Sequence, residues 1–460
     1  MTKSLRLSML AVLSGSLVAS AQSPLDEYIT NSAGNNYTTI VDVSNQVSNA
    51  VDLDWHPTRQ GELWILNMGT SNSGGTTVIV SDAGTDTQTA QYRKDGNSWH
   101  FLASGSSMAF SENGNWGTAQ GRLDANHNGS TFTGPSLWSS DLNIYGILGN
   151  PPTSAMNGSH LDMLHQSPYG MGIAAEVANV FWVFDGYNGN ICRYDFVDDH
   201  GPGQADHSDG RIKRYTEVQV ARLSDIPSHM VLDDDKKWLY INDIGNSRVL
   251  RMDITTGSVS NALPSANGEP ISEHSNMTGV TWEVYLTDVD RPCGIDISGD
   301  RLVISDYATG LIRIYDISDD ENPSLVGTID PGSSYVNQIT GVSIDESGRI
   351  WFTDRALRHV IRIDNSNITP VGTEELVAGN ESMKLFPNPT SNEVTVELDK
   401  MTANANYMVR LSNIVGQQVM LAPISATQTT LNLEGYDQGI YLVQVERDGE
   451  PVSTQKLIVR

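Results

Sequence analysis

The sequence predicts an all-β protein: repeated small sheets followed by a separate β-sandwich. Three observations carry this. A strand-turn-strand phrase recurs four times, the repeat stops near residue 366, and a different run of short alternating strands fills the remainder. With 460 residues the chain is long enough for two or three domains, and Gly 41, Trp 9 and Tyr 16 with few long apolar runs suit many short strands.

The phrase is an apolar triplet closing on Asp, nine residues, and a second Asp ending another apolar run. Its copies are FWVFDGYNGNICRYD (Asp185 to Asp195), LYINDIGNSRVLRMD (Asp243 to Asp253), VISDYATGLIRIYD (Asp306 to Asp316) and WFTDRALRHVIRID (Asp354 to Asp364). A turn-rich middle between two short apolar segments makes each copy a strand, a tight loop and a returning strand. The first Asp is placed to accept hydrogen bonds from the amides of its own loop, a structural role.

Ahead of each copy lies an alternating strand: SPYGMGIAAE, IPSHMVLDDD, RPCGIDISGD and ITGVSIDESG. The first-Asp positions step by 58, 63 and 48 residues, a period suited to one four-stranded blade. Degenerate copies precede them. In VDLDWHPTRQGELWILNMGTSNSGGTTVIV, Asn67 replaces the Asp, and HFLASGSSMAFSENGNWGTAQ supplies another. The total is six blades, and Trp64, Trp182, Trp238 and Trp351 are expected as core between neighbouring blades.

These repeats resemble the NHL-type family, well over four blades and weakly over the first two. The resemblance implies a six-bladed β-propeller over residues 25–370. After a linker at 371–384, the segments LFPNPTSNEVTVELDK, YMVRLSNIVGQQVM, TTLNLEGYDQGIYLVQVERDG and KLIVR form short alternating strands with turn signals between them. They predict a small Ig-like β-sandwich over 385–460. Pro387, Asn388 and Pro389, Asn413 with Gly416 and Gln417, Gly439 to Tyr441, and Lys456 to Val459 resemble the C-terminal sorting domain of type IX secretion cargo in Bacteroidetes. This resemblance implies an address read by the outer-membrane export machinery, with the cargo released or attached to surface lipopolysaccharide.

The first 21 residues read as an export signal. Lys3 and Arg6 precede the apolar run LSMLAVLSGSLVAS, and Ala19-Ser20-Ala21 offers a cleavage triplet. No later stretch has the 18 or so consecutive apolar residues of a membrane-spanning helix. Lys plus Arg 28 against Asp plus Glu 55 gives a net charge of −27, which repels phosphate backbones and anionic lipid and argues against nucleic acid as a partner. Export permits a disulfide between Cys192 and Cys293, but their placement two blades apart opposes one, and the pairing stays open.

Ten histidines are present, five of them between His160 and His229. Propeller geometry puts His165, in a connector between blades, and His229, at the opening of an inner strand, on one face near the axis, joined by His160. With Asp162 they would form a minimal set for Zn²⁺ or Cu²⁺, able to acidify a water or polarise a carbonyl. The alternative is that each histidine bonds a loop carbonyl and plugs the channel. His200 and His207 follow a third strand and are expected on the opposite face. There Asp198, Asp199, Asp206 and Asp209 make an oxygen-rich loop that suits Ca²⁺.

A second calcium-like loop is GRLDANHNGSTF, with Asp124, Asn126 and Asn128 at alternate positions and Gly129 at the sixth. Its twelfth position is Pro135 rather than Glu, so an Asx-rich turn without metal is an equal reading. Met163, Met171 and Met230 near the histidines leave copper open or simply pack. No GxSxG, HExxH, P-loop or CxxC pattern appears. Two functions follow: an exported propeller that binds a ligand or protein, or a metal-dependent extracellular lyase or hydrolase with an axial His site. The second is an analogy of fold and ligand type with the propeller lyase that cleaves peptidyl-α-hydroxyglycine.

Overall fold

A computed structural model describes residues 23–146, 158–204 and 206–368, and residues 383–459 apart from 389, 391, 399, 403–404, 414–417, 437–438 and 448–449. The export signal read at 1–21 and the linker at 371–384, up to residue 382, lie outside the described residues. The chain divides after Ile368 into two compact units.

The first unit is a six-bladed propeller, as the repeats predict. Strand β1 (Asn35–Val41) precedes the blades. Blade 1 comprises β2 (Ala50–Trp55), β3 (Leu63–Thr70), β4 (Gly74–Ser81) and β5 (Thr89–Arg93). Blade 2 holds β6 (Gly105–Phe110), β7 (Asn115–Gln120), β8 (Ser136–Ser139) and β9 (His160–Met163). Blade 3 starts with β10 (Gly170–Val177), β11 (Val180–Asp185), β12 (Asn190–Asp195) and β13 (Arg211–Tyr215).

Blade 4 runs β14 (Met230–Asp233), β15 (Trp238–Asp243) and β16 (Arg248–Asp253), and its fourth strand follows an insertion. The insertion is the hairpin β17 (Ser258–Ala262) and β18 (Glu273–Thr278), after which β19 (Trp282–Leu286) completes the blade. Strand β18 pairs in parallel with β13, Arg211 opposite Glu273, so blade 3 carries six strands. Blade 5 is β20 (Pro292–Ser298), β21 (Arg301–Asp306), β22 (Leu311–Asp316) and β23 (Ser324–Ile329). Blade 6 takes β24 (Ile339–Ile344), β25 (Ile350–Asp354) and β26 (His359–Asn365), and β1 from the start of the chain supplies its outer strand. Each inner strand packs on the next, and β24 packs on β2 to close the ring.

The repeated Asp has a wider role than fixing its own turn. Asp185 Oδ1 accepts from the amides of Tyr187 and Asn188 at 3.0 and 2.9 Å, and Asp354 Oδ1 accepts from Leu357 at 2.7 Å. Asp243 instead accepts from the amide of Ala221 at 2.7 Å, in the connector entering its blade. Asn67 and Gln120 hold the same place, accepting from the amides of Ser48 (2.9 Å) and Ala103 (2.8 Å). Every such group is buried and would be destabilising without a partner.

Between blades the core is aromatic. Trp64 of blade 1 meets Phe110 and Trp116 of blade 2 with ring centroids 5.3 and 5.2 Å apart. Trp182 and Trp351 are fully buried, whereas Trp238 is half-buried with the Arg251 guanidinium 4.3 Å over its ring. Cys192 and Cys293 are both free and buried in separate clusters.

The second unit is a sandwich of β27 (Met383–Phe386), β28 (Glu393–Leu398), β29 (Tyr407–Asn413), β30 (Gln418–Ile424), β31 (Gln428–Asn432), β32 (Gly439–Arg447) and β33 (Glu450–Val459). The sheets are β27-β28-β31 and β30-β29-β32-β33. Alternation buries Val394, Val396, Val409, Leu411, Val443 and Val445 between them. Asn388 Oδ1 accepts from the Ile458 amide at 2.9 Å, tying the start of the domain to its last strand. Tyr441 is buried, Gly439 opens β32 and Lys456 lies on β33, while Pro389 and Gly416 fall outside the described residues.

Candidate functional site

The structure separates the residues that the sequence assigns to one axial metal site. His229 alone reaches the axis. Its Nε2 is 3.2 Å from the Ser106 carbonyl and its Nδ1 is 3.4 Å from Asp52 Oδ1, inside a cavity of about 190 Å³ lined by the inner strands. This is the plug arrangement, in which an imidazole satisfies a carbonyl.

Three carboxylates share that cavity, and each ties one blade to the next. Asp52 Oδ2 accepts from Ser107 Oγ and the Met108 amide, both at 2.8 Å. Asp54 Oδ2 accepts from the Phe110 amide at 2.7 Å, and Asp296 Oδ2 from the Ile344 amide at 2.6 Å. Burial pushes Asp54 up to about 8 and Asp296 to about 6, with the neighbouring carboxylates adding to both, and it raises Asp52 against the pull of His229. The folded state therefore keeps protons that the unfolded chain releases above the ordinary carboxylate value. The sign is that stability falls as pH rises from about 4 to about 8. Thermal unfolding should show a lower Tm at pH 8.5 than at pH 5, and Asp54→Asn should flatten this slope. An unchanged slope in the variant would contradict the assignment.

His165 lies elsewhere, at the rim between the outer strands of blades 2 and 3. Its Nδ1 is 2.7 Å from Glu269 Oε1, and its backbone amide donates to both oxygens of that carboxylate at 2.9 and 3.0 Å. Its ring stacks on Phe132, with centroids 3.6 Å apart. His207 joins it rather than lying on the opposite face. The two rings are 5.3 Å apart, and His207 Nδ1 is 3.0 Å from Asp162 Oδ1 and 4.0 Å from Glu269 Oε1. The loop between β12 and β13 folds back along β9, where the Gly203 amide donates to the His160 carbonyl at 2.8 Å. Sorting loops by face works near the axis but fails at the rim, where outer strand, connector and loop converge.

His160 stays out of this cluster, its ring stacked on Phe101 at 3.5 Å. The two oxygen-rich loops are tied by internal hydrogen bonds. Asp209 accepts from His200 Nε2 at 2.8 Å and from the Asp198 amide at 3.1 Å, and Asp206 caps the Ser208 amide at 3.0 Å. Asp199 belongs to neither group of convergent ligand atoms among the described residues. Asp124 accepts from the amides of Asn126, Asn128 and Ser130 at 2.8–2.9 Å, an Asx turn that also engages Asn128. Those amides hold its carboxyl below the ordinary value although burial opposes them. Met163, Met171 and Met230 are core side chains.

Convergence at the rim is in two sets. One ligand atom each from His165, His207 and Glu269 lie within 4.8 Å of one another, and so do those of Asp162, His200 and Asp209. Burial holds His165 below the ordinary imidazole value despite Glu269, whereas Asp162 raises His207 against burial. Glu269 was not legible as a site residue because it comes from the blade 4 insertion. Its one signal is the 63-residue step between Asp243 and Asp306, the longest of the three.

A serine and a histidine also meet, His56 Nε2 lying 2.9 Å from Ser140 Oγ. His56 Nδ1 accepts from the amides of Thr58 and Arg59 at 3.2 and 3.0 Å, so its proton sits on Nε2 and points at the hydroxyl. Burial and Arg59 lower this imidazole to about 4. It cannot take the serine proton, so the pair is not a nucleophile and base.

The family described as secretion system C-terminal sorting domain matches residues 384–460. The C-terminal unit is thus a type IX sorting domain, which directs the chain to the cell surface or the extracellular space. Among the described residues no helix is long and apolar enough to cross a membrane. Over 173 residues the chain is 24% identical to an ulvan lyase of Nonlabens ulvanivorans, covering 34% of this chain and 32% of the lyase. It spans about a third of that relative's length. An auxiliary nutrient binding protein from Bacteroides thetaiotaomicron is similar at 11% identity and TM-score 0.45, over 72% of this chain and 76% of that one. A catalytically inactive virginiamycin B lyase from Staphylococcus aureus is similar at 12% identity and TM-score 0.40, over 79% and 96%. At these identities neither structure says what this chain binds.

Proposed function

We propose that this exported propeller is a binding module that takes its ligand at one mouth of the axial channel. The observation that carries the reading is a groove of about 670 Å³ at the ends of the inner strands of blades 2, 3 and 4. It shares Phe110, Ala175 and Leu232 with the axial cavity, so the two adjoin. Val177, 48% exposed, extends the apolar floor.

Charges around the floor are largely paired. Glu176 is held by Arg193 in two bonds of 2.7 Å, and Asp234 by Lys237 at 2.5 Å. Glu112 accepts from the Ala178 amide at 2.9 and 3.1 Å and has no Lys or Arg in an ion pair among the described residues. An apolar floor with one uncompensated carboxylate, on a chain of charge −27, favours a neutral or basic oligosaccharide or peptide over a polyanion. The axial carboxylates support binding over catalysis, since each is already engaged by amides of the next blade.

The test is retention on a panel of neutral, basic and acidic oligosaccharides and peptides, with Val177→Asp as the variant. Saturable binding of a neutral or basic member, weakened about tenfold or more by a charge on the apolar floor, is expected. Preference for the acidic members, or binding untouched by Val177→Asp, would contradict the reading. The metal-dependent lyase or hydrolase reading loses its axial His pair and would have to rest on the rim cluster.

A further inference from the structure

We infer that the rim cluster between blades 2 and 3 is a site for one divalent transition metal of the zinc class, held by His165, His207 and Glu269 with Asp162 beside them. This stands apart from the groove and does not depend on it.

Geometry is the first support. Zinc bonds of about 2.0–2.1 Å in a tetrahedral site place ligand atoms about 3.3 Å from one another. The separations here bracket that value: 2.7 Å from His165 to Glu269, 3.0 Å from His207 to Asp162 and 4.0 Å from His207 to Glu269. Two imidazoles with carboxylates select Zn²⁺ over Ca²⁺ or Mg²⁺, which take oxygen ligands.

The second support is independent of the first. Asp162 Oδ2 is buried with no hydrogen-bond partner, in a residue 1% exposed, on the carboxylate whose Oδ1 meets His207. Leaving such an atom unpaired is destabilising unless another partner takes the lone pairs.

Charge is the third. Asp162 and Glu269 are buried carboxylates whose ion pairs, among the described residues, run only to histidines and never to Lys or Arg. A divalent cation supplies the missing positive charge. The four groups come from β9, the connector after it, the β12–β13 loop and the blade 4 insertion, so an ion would knit three blades together at their outer edge. Asp162, His200 and Asp209 form a more exposed set that shares Asp162, and the deeper set is the one assigned here.

The experiment uses the untagged full chain, stripped by chelator and titrated separately with Zn²⁺, Co²⁺ and Ca²⁺. Uptake of about one equivalent of Zn²⁺, visible absorption from tetrahedral Co²⁺ and a rise in Tm on Zn²⁺ addition are expected. His207→Ala and Glu269→Gln should each weaken Zn²⁺ binding about tenfold or more, and His359→Gln should leave it unchanged. His207 is partly exposed and Glu269→Gln keeps an acceptor for the His165 amide, so both variants should fold, as circular dichroism would check. Should one unfold, the other and the wild-type titration decide. No saturable Zn²⁺ uptake, Ca²⁺ outcompeting Zn²⁺, or full affinity in a folded variant would overturn the assignment.

Discussion

Removing residues 23–41 should abolish cooperative unfolding of the propeller. This segment supplies β1, the outer strand of blade 6, so its loss uncovers the whole edge of β26. It also removes Tyr28, fully buried, whose hydroxyl donates to the Ile363 carbonyl at 2.6 Å and accepts from the Ile350 amide at 3.2 Å. Asp26 leaves with it. Its carboxylate grips Arg301 through two bonds of 2.7 and 2.9 Å, and its loss leaves that guanidinium paired with Asp316 at 3.0 Å. Leu25 and Tyr28 further belong to the core shared by blades 5 and 6. Against a typical net stability of about 5–15 kcal/mol these losses together are decisive. Calorimetry should show a broad or absent transition, and a truncated chain melting within a few degrees of the intact one would contradict ring closure by β1.

Truncation at residue 383 should leave the propeller folded but stop its passage out of the cell. The sorting domain is a separate compact unit with its own core of Val394, Val396, Val409, Val443 and Val445, and the propeller has a core of its own. What is lost is the address. Fractionation of cells expressing both forms should find the truncated chain retained in the envelope, with external protein down about tenfold or more. Equal amounts outside the cell would contradict the role assigned to residues 384–460.

The framework was legible because it is periodic. An Asp at the end of one strand and another ten residues later mark a hairpin whose geometry tolerates little else, and four such hairpins extend to six blades. Asn67 and Gln120 show why the first two copies are faint: an amide side chain does the same job of accepting a connector N–H, so the Asp can be replaced. The candidate site was legible only in part. His165, Asp162 and Asp209 could be picked out as residues able to hold a metal, and His200 and His207 only as neighbours of the oxygen-rich loop, yet their grouping could not. Sequence distance and loop face decide grouping near the axis, but at the rim a loop can turn back along a neighbouring strand, as 196–204 does along β9. Glu269 was invisible because it arrives on an insertion found in no other blade among the described residues.

The central question about this exported ring is whether it holds a ligand or transforms one. Incubating the intact protein with the oligosaccharide and peptide panel, while measuring both retention and product formation with and without chelator, addresses this directly. The expected result is saturable retention of an unchanged neutral or basic ligand, weakened in Val177→Asp. Steady release of cleaved product, stopped by chelator and untouched by Val177→Asp, would contradict it.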